Sequence, residues 1–366
     1  MVASKKKFFI LYLVCAFILS GCFPTDKRAT IINEEEEIDS LQVLDEHVDL
    51  QLTDKVKIQG TVNIDFSQEF YNYQTNYYQF TKDDLMIIDS VLATDGEVYR
   101  EEHNDFFYEL YQLNDSKASI YPAILDYSKI GREWNFLVTS LLQVDNIYNL
   151  SSFDSDPYDL EQVTIAHAIK QANEVIEKLS LETMGDPQVF TLDFNILSEI
   201  NQLRLKVKTE LDQFDEHDQG QLLVYQLGIE GIPMGNGSFS LDNDGVFPYN
   251  GSNMIFIYTE DGLTWLSIDD AFARPVEKEE ITNHISFEEL QSLIIQEYGQ
   301  IIGINAIVID DIRIALLPEI KNIENFSFEL KPYYQVRIIS ERSSGDKEST
   351  IMTIDYYSLS NGERYK

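Results

Sequence analysis

Ile165-Ala166-His167-Ala168-Ile169-Lys170-Gln171-Ala172-Asn173-Glu174-Val175-Ile176-Glu177-Lys178-Leu179 is the stretch that decides the fold class. Ile165, Ile169, Ala172, Ile176 and Leu179 recur at steps of four and three, which lines one face of an α-helix with apolar side chains. Glu174 and Lys178 stand four residues apart on the outer face, a favourable helical ion pair. Met184-Gly185-Asp186-Pro187 stops the helix, because glycine and proline punctuate regular structure. The period then changes: Gln188–Phe194, Leu203–Leu211 and Leu222–Glu230 read as strands, the last running into Gly231-Ile232-Pro233. A helix followed by a run of strands, without regular alternation of the two, predicts an α+β protein with antiparallel sheets, each packed against one or two helices.

Working outward, Val56, Ile58, Val62, Ile64 and Phe66 alternate with polar residues as in a half-buried strand, and Tyr71 to Phe80 continues with aromatic, β-favouring composition. Thr81-Lys82-Asp83-Asp84 has the form of a capping box, and the helix behind it carries Leu85, Ile88 and Leu92 before Asp95-Gly96 ends it. The stretch from Glu101 to Leu150 reads as mixed helix and loop. Ser151 to Pro157 has loop composition, so a domain boundary is expected at 155, between an N-terminal α+β domain (46–155) and a larger C-terminal region (156–366). In the latter, Asn253–Tyr258 and Leu263–Ile268 flank Glu260-Asp261-Gly262, a hairpin signal. Ser286-Phe287-Glu288-Glu289 opens a helix with Phe287, Leu290, Ile294 and Tyr298 on one stripe. Ile304–Leu316, Tyr333–Ser340 and Ser349–Ser358 close the chain as strands, with a turn at Asn361-Gly362. The expected layout of this region is two helix-plus-antiparallel-sheet units.

The N-terminus carries a targeting signal. Lys5-Lys6-Lys7 precedes an apolar run from Phe8 to Leu19, which is too short for a transmembrane helix of about twenty residues but matches the core of a signal peptide. Leu19-Ser20-Gly21-Cys22 follows and resembles the bacterial lipobox. The resemblance implies cleavage between Gly21 and Cys22, after diacylglycerol is placed on the Cys22 thiol, and hence residence on the extracytoplasmic face of the cell membrane. Residues 1–21 are then the signal peptide. Residues 22–45, with Glu34-Glu35-Glu36-Glu37, read as an acidic tether kept extended by like-charge repulsion. The other cysteine, Cys15, lies inside the removed run, so the mature chain has neither a disulfide framework nor a catalytic thiol.

The chain has 27 Lys and Arg against 63 Asp and Glu, a formal net charge of −36. Loss of Lys5, Lys6 and Lys7 makes it more negative still. Nucleic-acid binding and polybasic adhesion to anionic lipid both need clustered cations, so neither is expected; the membrane attachment is the lipid on Cys22. The balance does not imply disorder, since 44% of residues are hydrophobic, enough for a packed core.

The lipobox, the helix around Val163–Leu181 and Tyr225-Gln226-Leu227-Gly228-Ile229-Glu230-Gly231-Ile232-Pro233 resemble a family of Gram-positive bacterial lipoproteins known only as a domain of unknown function. Thr259-Glu260-Asp261-Gly262-Leu263 and Ile285-Ser286-Phe287-Glu288-Glu289-Leu290 extend the likeness. The family pattern has a tryptophan after a late proline, where this chain has Lys331-Pro332-Tyr333-Tyr334. The C-terminal layout is more loosely similar to PepSY-like exported regulatory lipoproteins, in which a helix packs on a small antiparallel sheet. These motifs are turns and caps, and they carry over no catalytic residue.

Motifs that would carry chemistry are weighed individually. Ser240-Leu241-Asp242-Asn243-Asp244-Gly245 has the look of a calcium loop, but its first position is Ser240 and its twelfth Gly251, where acids are required; a polar turn is expected. Asp215-Glu216-His217-Asp218 and Glu101-Glu102-His103 bunch acids with histidine. None of the five histidines, His47, His103, His167, His217 and His284, forms a His-x-x-x-His pair, so no metal site is expected. Gly235-Asn236-Gly237-Ser238 lacks the spacing of a nucleophile elbow, and neither nucleotide-binding glycine pattern occurs. The aromatic run Phe70–Phe80 is expected to pack in a sheet rather than to stack on sugar. Tyr333 and Tyr334 point to opposite sides of a strand, and one of them is expected in the core. No cofactor is expected. The reading that remains is a non-catalytic binding or regulatory module of the envelope, engaging an envelope protein, a peptide or a glycan. The alternative is a hydrolase of wall glycan or peptide using paired carboxylates, which a sequence with this many acids leaves open.

Overall fold

The computed structural model describes residues 43–365 except 104–105, 131, 133, 143–155, 208–212, 236, 242–244, 250–251, 302–305, 323–326 and 345–346. The expected signal and lipobox, with Gly21 and Cys22, and most of the expected tether lie outside the described residues. The first strand starts inside the expected tether: β1 (Val43–Gln51) pairs with β2 (Val56–Asp65) from Val43↔Asp65 onward.

Two large sheets make up the body. The first also contains β3 (Tyr71–Asn76), β16 (Glu277–Glu280), β17 (Ala306–Asn322), β18 (Ser327–Ser344) and β19 (Lys347–Ser358). Its order is β1-β2-β17-β18-β3-β16, with β19 on the far half of β18. The β2–β17 pairing is parallel, and the others in this sheet are antiparallel. The second sheet contains β4 (Glu97–His103), β5 (Phe106–Leu113), β6 (Ser116–Tyr121), β7 (Ile124–Lys129), β8 (Gln188–Leu192), β9 (Gly220–Gln226), β14 (Asn253–Thr259) and β15 (Gly262–Asp269). It runs β4-β5-β6-β7-β15-β14-β9-β8. Two small hairpins, β10 (Gly228–Ile229) with β11 (Ile232–Pro233) and β12 (Gly237–Leu241) with β13 (Gly245–Tyr249), complete the strands.

Helices cover the second sheet on both faces. On one lie α1 (Lys82–Ile88), α2 (Ser90–Asp95) and α4 (Ile165–Leu179), with Leu85, Leu92, Ala168, Ala172, Ile176 and Leu179 packed on Tyr127, Leu223 and Phe256. On the other lie α3 (Trp134–Leu142) and α5 (Phe194–Val207), with Trp134, Leu137, Ile196, Leu197 and Ile200 packed on Leu222, Ile257 and Trp265. Each of the leucine, isoleucine and phenylalanine side chains contributes roughly 1.5–3 kcal/mol on burial, an upper figure because denatured chains already hide part of their surface. The sixth helix, α6 (Phe287–Tyr298), opens with Ser286 N–H donating to Glu289 Oε2 at 2.7 Å and buries Phe287, Leu290 and Ile294. The protein is thus α+β, as expected.

Several local readings hold. The decisive helix spans Ile165–Leu179, capped by Thr164 Oγ1, which accepts from His167 N–H at 3.2 Å. Gly262, with φ of 84°, turns the β14–β15 hairpin in a conformation that glycine adopts without penalty. Other readings are corrected. The boundary expected at 155 does not divide the fold, because the long-range pairings cross it: β7 pairs with β15, β2 with β17, and β3 with both β16 and β18. For the same reason the C-terminal region is not two self-contained helix-plus-sheet units. The stretch from Glu101 to Leu150, read as helix and loop, supplies strands β5 to β7 and one helix among its described residues. Leu203–Leu211, read as a strand, is helical through Val207, because Asp193 Oδ1 accepts from Ile196 N–H at 2.9 Å and starts a helix upstream of it. The single helix expected behind Thr81 is broken at Asp89, which ends α1 and caps α2 through Leu92 N–H at 2.9 Å. Tyr333 and Tyr334 are both buried, because this part of the sheet is covered on both sides: Tyr333 packs with Tyr356, and Tyr334 donates to the Ile285 carbonyl at 2.6 Å.

Candidate functional site

A cleft of about 930 Å³ opens where the C-terminus of α4, the β10–β11 hairpin and the segment from β15 to β16 converge. Its walls follow from local chain chemistry. The helix ends at Ser180, which takes a left-handed conformation (φ 56°) and turns Leu181 and Glu182 along the cleft. Glu182 secures the opposite wall, its carbonyl accepting from Gly228 N–H at 3.1 Å and its Oε1 from Gly231 N–H at 2.7 Å. Gly228 is required by close approach, since a Cβ there would stand 2.3 Å from Met184 Sδ and 2.6 Å from the Ile232 carbonyl oxygen. The Gly228–Pro233 motif read from the sequence is therefore the hairpin that forms one wall.

Glu230 sits at the hairpin tip with φ of 49°. Its carboxylate accepts from Lys278 Nζ at 2.9 and 3.1 Å and from Tyr73 Oη at 3.2 Å. The Lys278 ammonium also lies 4.1 Å from the centre of the Tyr71 ring, a cation–π geometry. A hydrogen bond to Glu69 pushes the Tyr71 phenol up to about 12, and burial followed by the Glu230 charge raises Tyr73. Both phenols therefore stay neutral at physiological pH. The third wall is extended chain pinned to β3, with Ala273 N–H donating to Asn76 O, Val276 N–H to Gln74 O and Thr75 Oγ1 to Ala273 O. Val276 is 73% exposed at the lip, beside Arg274 and Pro275. The lining combines apolar Leu179, Ile229 and Phe272 with charged Glu177, Glu182 and Glu277; among the described lining residues there is no histidine or cysteine. Such a surface can bind through apolar contact, ion pairing and backbone hydrogen bonds.

A second arrangement lies on the other face of the second sheet, the face that carries Trp265. Ser267 Oγ is 2.6 Å from Asp126 Oδ1 and 3.4 Å from Asp269 Oδ2, and Asp270 follows with φ of 49°. Burial, followed by the Asp126 charge, pushes Asp269 up to about 6; burial, followed by the Asp269 charge, pushes Asp270 up to about 7. Asp126 is raised by burial as well. The sequence reading missed this trio. Asp126 comes from β7 and Ser267 and Asp269 from β15, strands remote in sequence, and only the β7–β15 register brings these three together.

The residues singled out in the sequence separate. Asp215 and Asp218 cap a short 3-10 turn (Glu216–Asp218) and both accept from Arg132, at 2.9 and 2.6 Å. His217 Nδ1 lies 2.7 Å from Glu260 Oε1 on the surface, which raises its pKa. Among the described residues no group of three His, Cys, Asp or Glu could hold a metal ion. The side chains of Glu101, Glu102 and His103, and residues Asp242 to Asp244 of the calcium-like loop, lie outside the described residues. In the aromatic run, Phe70, Tyr73 and Phe80 are buried and pack, as expected; Tyr78 reaches the cleft and donates to the Leu179 carbonyl at 3.3 Å.

No family model and no curated protein matches the chain. Among solved structures the fold recurs. An uncharacterised protein from Eubacterium rectale superposes with a TM-score of 0.58 at 13% identity, covering 88% of this chain and 96% of that one. The similarity shows the fold alone.

Proposed function

We propose that this chain is a lipid-anchored, non-catalytic binding module on the outer face of a bacterial cell membrane, and that the cleft beside Glu230 is its ligand seat. The observation that carries the reading is the build of the cleft. Its polar groups are positioned by one another, Glu230 by Lys278 and Tyr73, and Glu182 by Gly228 and Gly231, while Val276 stands exposed at the lip. An exposed apolar residue beside a preorganised polar wall is how a recognition surface is made. Anchorage rests on Leu19-Ser20-Gly21-Cys22. A photo-crosslinking side chain at Val276 in the native host should give a discrete adduct that the same group at Val91, exposed elsewhere on the body, does not give. Equal labelling from both sites would overturn the cleft assignment. Cys22→Ala should release the protein from membranes or leave it unprocessed; normal retention and mature mass would refute the anchor.

A second reading, hydrolysis of wall glycan or peptide, is favoured by one observation: Asp126 and Asp269 share the Ser267 hydroxyl, and burial pushes the Asp269 carboxyl up to about 6. Two carboxylates placed close together, one of them raised so that it can carry a proton, are the equipment of glycoside hydrolysis. Glycan turnover by the purified chain, abolished by Asp269→Asn with the fold intact, would establish it in place of the binding reading.

A further inference from the structure

We propose that the cleft takes a basic peptide segment in extended conformation, which adds as a further strand to the free edge of β16. This rests on the cleft reading above and names its ligand class. β16 is the last strand of the first sheet, paired only with β3. The backbone is tied to β3 from Val276, whose N–H donates to Gln74 O, to Ile281, whose N–H donates to Phe70 O. The four residues of the strand point the amide and carbonyl groups of alternate residues outward, and no strand lies beside them among the described residues. All four residues of β16 are exposed. An open edge of this kind is a template for an incoming strand.

The charges choose the partner. The edge reads Glu277-Lys278-Glu279-Glu280. Its one cation is spent internally, on Glu230 and on the face of Tyr71. The three glutamates remain, and Glu177 and Glu182 line the facing wall. Lys178 and Arg274 also border the cleft, so acids outnumber the uncommitted cations there. The C-terminus of α4, a 15-residue helix, adds partial negative charge at the same place. Like-charge repulsion disfavours an acidic strand or a second copy of this edge, whereas an incoming strand with Lys or Arg at alternate positions meets opposite charge along it. Between the cations, apolar side chains would lie on Val276 and Ile229. The whole-chain charge of −36 steers such a peptide in over longer range.

The test uses the chain without its signal and three synthetic peptides of eight residues: one alternating lysine and valine, one alternating glutamate and valine, and the lysine peptide N-methylated at every second amide. We expect binding of the lysine peptide, weakened at least tenfold by N-methylation on the pairing edge and weakened again by raising the salt from 50 to 200 mM. The glutamate peptide should not bind. The triple variant E277K/E279K/E280K, whose exposed sites leave the fold and melting profile unchanged, should reverse the preference, and Val276→Asp should lower affinity for both. Equal binding of the N-methylated peptide, or unchanged preference in the triple variant, overturns the proposal. Failure of all three peptides beside a specific Val276 adduct in the host overturns the peptide assignment and leaves the cleft standing. Failure of both removes the two together.

Discussion

Asp270 is the residue whose ionisation bears most directly on the junction between the sheets. It follows β15 with a positive φ, and its carbonyl accepts from Ser252 Oγ at 2.5 Å. The next residue, Ala271, hydrogen-bonds to both Tyr78 and Ala123. Burial and the neighbouring Asp269 push its carboxyl up to about 7, and Asp269 itself stands at about 6, facing Asp126. A carboxyl raised in the folded state favours folding where it is protonated; that contribution is complete below the ordinary carboxylate value and is lost as the pH rises through the folded values. Stability should therefore decline between about pH 4 and pH 7. Asn tolerates the left-handed conformation and cannot ionise, so Asp270→Asn should raise the urea midpoint at pH 8, with a difference that shrinks toward zero at pH 4. A pH-independent difference would mean that the charge is not the cause.

Among the elements, α5 shows what a single cap decides. Leu203–Leu211 contains enough apolar residues to pass for a strand, but Asp193 starts a helix ten residues earlier, and Ile196, Leu197, Ile200 and Leu203 then fall on the face that packs under the second sheet. Asp193 also accepts from Tyr158 Oη at 2.6 Å. Asp193→Ala should cost about 1 kcal/mol, the usual value of an N-cap, read as a lowered midpoint in urea with unchanged slope. A neutral result would assign the start of the helix to packing alone. The contrast with α4 explains what was legible in the sequence. Where a stripe at steps of three and four has a cap and a stop, as from Thr164 to Ser180, the period reads directly. The β14–β15 hairpin was legible for the same reason, because Gly262 fixes it locally. β5 to β7 were not, because their burial comes from helices and strands distant in sequence. The hairpin wall at Gly228–Pro233 was visible as a motif, but its role was not. Glu182, Lys278 and Tyr73, which make it a cleft, approach it only through tertiary packing.

At the scale of the whole molecule, the two sheets are joined where three segments meet. Ala123 N–H donates to Tyr78 O, Tyr78 N–H to Ala271 O, and Ala271 N–H to Ala123 O, at 2.9, 2.9 and 3.0 Å. These residues lie after β3, before β7 and after β15, so the ring closes across almost 200 residues of sequence. The same interleaving appears in the pairings: β2 lies between β1 and β17, β3 between β18 and β16, and β7 between β6 and β15. A chain cut at residue 155 would leave β2 and β7 each with one edge stripped of its partner, β3 with neither of its partners, and the apolar faces of α1 and α2 without α4 beside them. Neither part would bury enough surface to offset its conformational entropy. Fragments 43–155 and 156–366, expressed separately, should therefore each lack amide dispersion and a cooperative melt. Co-expressed, they should recover both, with a single urea transition reported alike by tryptophan fluorescence, from Trp134 and Trp265, and by far-ultraviolet circular dichroism. A folded 43–155 fragment would show instead that the first three strands and the β4–β7 meander form a domain of their own, and that the shared sheets are an interface rather than a core.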